Sequence, residues 1–288
     1  MMKLFSLSVA LGWAAMIRAD TSSFHWTTHK PHATANVVAE EVDLGTTLVA
    51  IRYQDGVVVA ADSRTSVGGY VSNRYATKLV PITSHCLVMR SGSAADTQNL
   101  ALACRHYFRQ RQLRLSTIES SLSSLLPSPI ATTSQIAQWM RRAVVGNPSG
   151  QASLLVAGWD NNRSHSNGGS GHIYSVALSG ALLSEQQFAA AGSGSVFVLG
   201  FLDQALGTTT DDEGLVSEER AIALCQQAIR LAAQRDGSSG GLIRLSIINE
   251  NGIRTLPPQP IVVANAVLPS GKDTNNADRG LDGFHTPR

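Results

Sequence analysis

The order of strand-like and helix-like segments is the feature that most constrains the fold of this chain. Apolar β-prone runs come first, two helical patterns follow, and strands, two more helical patterns and final strands complete the sequence. A doubly wound parallel sheet would need strands and helices that alternate one by one. The order therefore predicts an α+β fold, in which antiparallel sheets carry helices on their outer faces.

The first strands form a predicted hairpin. Residues 47–53 and 57–61 are apolar and rich in β-branched side chains, and Gln54-Asp55-Gly56 between them is a turn signal. Residues 65–69 are predicted as a second turn. Further strands are predicted at 70–72, 79–82, 86–90, 153–159, 172–177, 242–249 and 253–256, with additional pairing within 182–191.

Four helices are predicted from apolar faces and start signals. Ser93 caps the first, and a connector at 116–129 separates it from a second helix that begins near Thr132. A third helix is predicted at about 195–205, and Ser217 caps a strong fourth one. The loop at 160–171, rich in Asn, Ser and Gly, is predicted to be flexible.

Composition excludes some classes of function. The chain has 288 residues, 43% of them hydrophobic, and a net charge of +2, so a strong attraction to nucleic acid or to membrane surfaces is not indicated. The three cysteines are widely spaced, lie among apolar residues and form no C-x-x-C pair, which is typical of reduced core thiols rather than a disulfide framework.

The N-terminal 45 residues lack a sustained pattern after Ile17 and are interpreted as a propeptide. A basic start followed by the apolar run 4–17, with Ala19 near a cleavage point, also resembles a secretory signal, and this alternative stays open. His25, His29 and His32 have spacings that suit a metal on a helix, but Pro31 argues against a helix there. Order is expected from 46 to about 260, followed by an extended and partly disordered tail at 261–288.

The sequence lacks the motifs of several common enzyme classes. No H-E-x-x-H, G-x-S-x-G or Walker pattern occurs, so a metal site or a nucleotide site is not predicted. What remains is a set of polar residues and glycines at strand ends and sharp turns: Thr46, Asp62, Lys78, Gly92, Asp236 and Ser239. If the finished protein begins at Thr46, that residue offers a hydroxyl and a free α-amine, which can act together as nucleophile and base.

These residues lie within longer motifs: Gly45-Thr46-Thr47, 56–64 (GVVVAADSR), Lys78-Leu79, 91–96 (SGSAAD), 192–195 (GSGS) and 235–241 (RDGSSGG). Their order and spacing resemble those of catalytic β subunits of the 20S proteasome, which are N-terminal nucleophile hydrolases. The resemblance covers about two-thirds of the chain. Arg90, Asp96-Thr97-Gln98 and Gly158-Trp159-Asp160 look like the caspase-like, first β subunit of that family.

The resemblance implies a fold and a set of roles. The fold would be a four-layer αββα sandwich of two antiparallel sheets flanked by helices. Thr46 would be the nucleophile, Asp62 would fix Lys78 near its amine, and the Gly92 N–H would stabilise the oxyanion. Ser193, Asp236 and Ser239 would orient the amine and a water molecule. No metal and no cofactor would be needed.

The resemblance also implies self-processing, specificity and partners. Gly45 would leave when Thr46 attacks its carbonyl, and cleavage of substrates after acidic residues would follow from Arg90, with Thr65 and Ala76 in the same P1 pocket. The subunit would act in stacked seven-membered rings with other α and β subunits, on unfolded proteins, in the cytoplasm and nucleus. Two alternatives stay open: a catalytically silent ring subunit and a free-standing N-terminal nucleophile amidohydrolase.

Overall fold

The computed structural model describes residues 45–67, 70–122, 131–146, 151–161, 169–185, 187–207 and 215–261. Nearly all of the predicted propeptide, most of the 160–171 loop and the predicted C-terminal tail lie outside the described residues. The strands are β1 (Leu48–Tyr53), β2 (Gly56–Ala61), β3 (Thr65–Val67), β4 (Tyr70–Asn73), β5 (Leu79–Pro81), β6 (Cys86–Gly92), β7 (Ala152–Asp160), β8 (Ser170–Val176), β9 (Leu182–Glu185), β10 (Phe188–Ala191), β11 (Leu242–Asn249), β12 (Gly252–Thr255) and β13 (Gln259–Pro260). The helices are α1 (Ala94–Leu122), α2 (Thr133–Gly146), α3 (Leu199–Leu206) and α4 (Glu218–Arg235), and a 3-10 helix spans Ser193–Phe197.

Two antiparallel sheets form the centre of the molecule. The first has the order β10-β1-β2-β11-β12, with β13 also paired to β11, and the second has the order β5-β6-β7-β8-β9. The β1–β2 hairpin is confirmed, with Tyr53 paired to Gly56 across the turn. β2 is buried along its whole length, because one face meets the second sheet and the other meets helices. This explains why its sequence is almost entirely valine and alanine.

Three apolar clusters separate the layers. One lies between the sheets and includes Leu48, Met89 and Ile248. A second joins the first sheet to α3 and α4, and a third joins the second sheet to α1 and α2. The predicted four-layer αββα arrangement is therefore confirmed, and so is the cap of α4, where the Ser217 hydroxyl accepts a hydrogen bond from the Arg220 N–H.

Several local predictions were wrong. The predicted turn at 65–69 contains β3, which pairs with β4 in a separate two-stranded sheet. The predicted helix at 195–205 is divided at Val198 into the 3-10 helix and α3. The pairing within 182–191 belongs to two strands in different sheets, β9 and β10. α1 also continues into the predicted connector, to Leu122.

Candidate active site

Thr46 lies two residues before β1. The register of the hairpin pairs Leu48 with Ala61, so the residue before β1 faces the residue after β2. The Thr47 N–H accordingly donates to Asp62 Oδ1 at 2.9 Å, and the Asp62 N–H donates to the Thr47 carbonyl at 3.2 Å. Lys78 directly precedes β5 of the second sheet and reaches across to the same point. Thr46, Asp62 and Lys78 are all buried.

A cation and a hydroxyl converge on the carbonyl that precedes Thr46. Lys78 Nζ lies 2.7 Å from Asp62 Oδ1 and donates to the Gly45 carbonyl at 3.1 Å. The Thr46 hydroxyl donates to the same carbonyl at 2.6 Å. Burial lowers the pKa of Lys78, and the negative charge of Asp62 opposes that shift. We call Lys78, Asp62 and Arg90 the carbonyl side of the site.

Asp62 is the anchor of this side. Besides the contacts of Oδ1, its Oδ2 accepts hydrogen bonds from the N–H groups of Arg64, at 3.1 Å, and Gly240, at 3.0 Å. The carboxylate is fully buried, and such a group is stable only when charges and donors surround it. Asp62 therefore fixes Lys78 against β1 and the loop before β11.

A chain of hydrogen bonds surrounds the Thr46 nitrogen on the other side. The Thr46 N–H donates to Ser193 Oγ at 3.1 Å, and the Ser193 hydroxyl donates to Asp236 Oδ2 at 2.7 Å. The Ser239 hydroxyl donates to the same oxygen at 2.6 Å, and the hydroxyls of Thr47 and Ser239 are 2.7 Å apart. Because Ser239 uses its proton on Asp236, Thr47 is the donor in the last contact. We call these four residues, Ser193, Asp236, Ser239 and Thr47, the amine side.

Sequence reasoning missed Thr47, which is fully buried. A hydroxyl inside an otherwise apolar run was the available signal, but the run was interpreted only as a strand. The glycines beside the amine side are needed for a close approach of backbone. A Cβ on Gly192, whose φ is +89°, would lie 2.2 Å from the Thr46 carbonyl oxygen, and one on Gly194 would lie 2.0 Å from Thr47 Oγ1. The GSGS motif therefore packs closely against Thr46 and Thr47, the two residues before β1.

Gly92 ends β6 at φ +108°, a conformation that favours glycine. With Ser193 it lines a cavity of about 540 Å³ that opens between β10 and the strands β7 to β9. Leu183 and Glu185 of β9 line the opposite wall. The structure therefore brings Gly92 and Ser193 to one cavity beside Thr46.

The predicted pocket residues are arranged around the segment before β5. Arg90 donates to the Thr77 carbonyl and, at 3.2 Å, to the Thr97 hydroxyl, while its Nε is buried without a hydrogen-bond partner among the described residues. Burial lowers the pKa of Arg90. Ala76 is tied to β2's end by its N–H, which donates to the Ser63 carbonyl at 2.9 Å. Thr65 begins β3 and forms no hydrogen bond with the other predicted site residues in the described part of the chain.

Other kinds of site receive no support from the described residues. Within the ranges that the structure covers, no group of three or more His, Cys, Asp or Glu side chains is arranged to hold a metal ion. The histidines at 25, 29 and 32 lie outside those ranges. The three cysteines are buried and unpaired with one another, and burial raises the pKa of each thiol.

No helix among the described residues is long and apolar enough to cross a membrane.

The fold and site together define a class of protein. Two antiparallel sheets between helical layers, with a threonine at the entry of a central strand and a buried lysine–aspartate pair beside it, are the features of the N-terminal nucleophile hydrolase fold.

Comparison with known proteins gives the family. The family model described as "Proteasome subunit" matches residues 42–248. The chain is 37% identical over 213 residues to proteasome subunit beta type-6 of Dictyostelium discoideum, covering 74% of this chain and 88% of that protein. It is 36% identical over 213 residues to the probable proteasome subunit beta type-1 of Schizosaccharomyces pombe, covering 74% and 84%, and 36% identical over 215 residues to proteasome subunit beta type-9 of Bos taurus, covering 75% and 87%.

The chain belongs to the proteasome subunit family, as a β-type subunit of the 20S core. The predicted resemblance is confirmed, and the relatives' names agree with a subunit of the β-1 type. The predicted partners, other α and β subunits of the core, follow from this membership, which leaves the free-standing alternative without support. Members of the family are generally threonine peptidases, although some are inactive.

Proposed function

We propose that this subunit is an active threonine endopeptidase that processes itself between Gly45 and Thr46 and cleaves substrates after acidic residues. The observation that carries the proposal is the convergence of Lys78 and the Thr46 hydroxyl on the Gly45 carbonyl, at 3.1 Å and 2.6 Å. A buried cation at a peptide carbonyl stabilises the charge that develops there when the carbonyl is attacked. Burying the Lys78–Asp62 pair costs desolvation free energy, and this cost is better explained by a catalytic role at Gly45 than by a structural one.

Self-processing would use the groups already in contact. The Thr46 Oγ1 attacks the Gly45 carbonyl carbon, the bond from that carbon to the Thr46 nitrogen breaks, and the hydroxyl proton ends on the nitrogen. Water then hydrolyses the resulting ester, which gives a Gly45 carboxylate and restores the hydroxyl. The products are the 1–45 propeptide and a chain of which 46–260 forms the catalytic domain, with 261–288 as an extension.

The freed amine would then act as the base. Its ordinary pKa is about 7.7–8.0, and the positive charge of Lys78 disfavours its protonation. Ser193, held by Asp236, contacts that nitrogen directly, and Ser239 completes the same hydrogen-bond chain. The Gly92 N–H would stabilise the oxyanion, a contribution that is typically worth about 3–4 kcal/mol.

Specificity would follow from Arg90. Its guanidinium is held by two neutral oxygens, of Thr77 and Thr97, and among the described residues no carboxylate forms an ion pair with it. The two contacts use one N–H of Nη1 and one of Nη2, and a half-buried guanidinium with further Nη protons would bind an acidic P1 side chain by a charge-assisted hydrogen bond. Ala76 and Thr65 would form the walls of that pocket.

The test is N-terminal sequencing of the chain in 20S particles purified from its source, in the wild type and in Thr46→Ala. The wild type should begin at Thr46, and Thr46→Ala should retain 1–45 and lose peptidase activity. A mature N-terminus at Thr46 in the variant would refute self-processing, and one at Ala19 or Asp20 would favour the secretory alternative. A silent ring subunit would fail to react with a covalent threonine-directed inhibitor.

The cellular setting is also a proposal. A subunit of the 20S core would act on unfolded proteins in the cytoplasm and nucleus, as the family resemblance implies. Fractionation of cells, followed by detection of the chain, would test this location.

A further inference from the structure

The segment 74–78, which runs into Lys78, has every one of its carbonyl groups held by a named donor. The Ser63 hydroxyl donates to the first carbonyl and Arg90 donates to the last two, from its Nη2 and its backbone N–H. The middle two are held by one side chain. Arg244 Nη2 donates to the Tyr75 carbonyl at 2.9 Å, and Arg244 Nε donates to the Ala76 carbonyl at 3.0 Å.

Arg244 reaches this segment because of its place in β11. Its neighbours Ile243 and Leu245 pack with the helical layer, so alternation along the strand turns Arg244 toward the second sheet. It pairs with Ala61, the residue directly before Asp62. A charged side chain in an apolar strand costs desolvation free energy unless its donors form hydrogen bonds. Here the two hydrogen bonds of the Arg244 guanidinium both go to the segment 74–78.

A cavity lies beside Arg244 on the flank of the segment that faces β12. A space of about 230 Å³ lies between Arg244, Thr77, Leu79 and the end of β12. The Tyr75 and Ala76 N–H groups donate to Asn73 Oδ1 and to the Ser63 carbonyl, and the Arg244 guanidinium binds the carbonyl groups of the same two residues from β11. Its two donors sit at fixed positions on a planar group, which a lysine ammonium cannot reproduce.

We propose that Arg244 is a positioning residue for the P1 pocket. It fixes the backbone of Tyr75 and Ala76, and through the next carbonyl, that of Thr77, it sets the direction of the Arg90 guanidinium. This inference rests on the proposed function, because it assigns acidic specificity to Arg90. Arg244 itself touches neither Thr46 nor Lys78 by a hydrogen bond within the described part of the chain.

The experiment compares Arg244→Met with Arg254→Met in assembled 20S particles. Arg254 lies on the neighbouring strand β12, and its exposed guanidinium pairs with Glu218 instead of the site. Two peptides that differ only by Glu or Gln at P1 are the substrates, and particles with Thr46→Ala supply the background. Arg244→Met should lower kcat/KM for the Glu peptide about 10-fold, mainly through KM, and change the Gln peptide less than about 2-fold. For the Glu peptide, the kcat/KM of Arg244→Lys should lie between the values of the wild type and of Arg244→Met. Arg254→Met should match the wild type on both peptides.

Equal losses on both peptides, or no loss on either, would overturn the inference. Amide hydrogen exchange across 74–78 gives a second measurement that needs no activity. Exchange should be faster in Arg244→Met than in Arg254→Met, and identical exchange would overturn the proposal. If wild-type and Thr46→Ala particles cleave both peptides equally, the proposed function fails, while the exchange result still decides whether Arg244 holds the segment.

Discussion

The two sides of Thr46 are built from different chemistry. On the amine side, two serines, a threonine and one aspartate form a chain in which each side chain bonds to the next. On the carbonyl side, two cations from the second sheet face the site, and the Nε of Arg90 has no partner among the described residues. The side chains of the amine side bond to one another, whereas the Arg90 guanidinium is held by neutral oxygens and has no carboxylate partner among the described residues. Under the proposed function, the amine side would hold the nucleophile and the carbonyl side would receive the acidic side chain of the substrate.

Removing the cation of the carbonyl side should have the largest effect. We expect Lys78→Met to lower the rate of self-processing and of peptide cleavage about 1000-fold, because the Gly45 carbonyl and the substrate carbonyl lose their nearest positive charge. The fraction of chains that begin at Thr46 and the rate of labelling by a threonine-directed inhibitor measure this. Normal maturation of Lys78→Met in assembled particles would show that the amine side is sufficient.

Arg90→Met should separate specificity from catalysis. We expect kcat/KM to fall about 100-fold for a peptide with Glu at P1 and only slightly for one with Leu, because a desolvated charge-assisted hydrogen bond is lost. Arg90→Glu should abolish the acidic preference altogether. Arg105→Met is the control, since Arg105 donates to the Pro81 carbonyl from the surface of α1. Unchanged kinetics on both peptides would reject Arg90 as the selecting group.

Gly45→Ala should affect maturation alone. A Cβ at this position would lie 1.8 Å from the Ser238 Cβ and 2.4 Å from the Ser238 carbonyl oxygen, so the backbone here must move and the alignment of the Gly45 carbonyl with Lys78 and the Thr46 hydroxyl would change. We expect maturation to slow about 10-fold, as for a misplaced reacting group. The mature enzyme should then have normal activity, because residue 45 has left. Gly200→Ala, where a Cβ meets nothing within 4 Å, is the matched control.

Thr47→Val should give the smallest effect. The variant keeps the shape of the side chain and removes the hydroxyl that donates to Ser239, while Ser239 keeps its bond to Asp236. We expect kcat to fall about 3- to 10-fold with little change in KM, the size expected for one neutral hydrogen bond. Thr255→Val, which removes a hydroxyl contact with Ser246 away from the site, serves for comparison. A loss of kcat as large as that of Lys78→Met would contradict this prediction, because it would mean that the amine side fails when one of its hydrogen bonds is removed.

The sequence was informative where a residue's place follows from local pattern. Asp62 and Lys78 stand beside short strands and glycine-serine motifs mark loops, so these places in the fold were predictable from local pattern, whereas the grouping of the residues into one site came from the family resemblance. Thr47 was hidden because a threonine in a β-prone run is indistinguishable from an ordinary strand residue. Arg244 was hidden for the opposite reason, since its partners lie 168 and 169 positions away in sequence.

The fold was predictable in its order of elements and less so in its boundaries. Residues 182–191 were predicted as one region of additional pairing, yet β9 and β10 join different sheets. Similarly, the 3-10 helix at Ser193–Phe197 interrupts a helical pattern so that Ser193 can meet the Thr46 nitrogen. In both places a contact with distant chain overrides local propensity, and a single sequence carries no signal of such contacts.

The four donors of Asp62 have a consequence for the timing of activity. They come from the residues directly before β1, β3 and β5 and from the loop before β11, so the carboxylate has all of its partners only when these four segments have come together. A half-folded chain would hold Thr46 without Lys78, and its Gly45 carbonyl would lack the cation that activates it. If the chain processes itself as proposed, the Asp62–Lys78 ion pair would therefore delay cleavage until both sheets have come together.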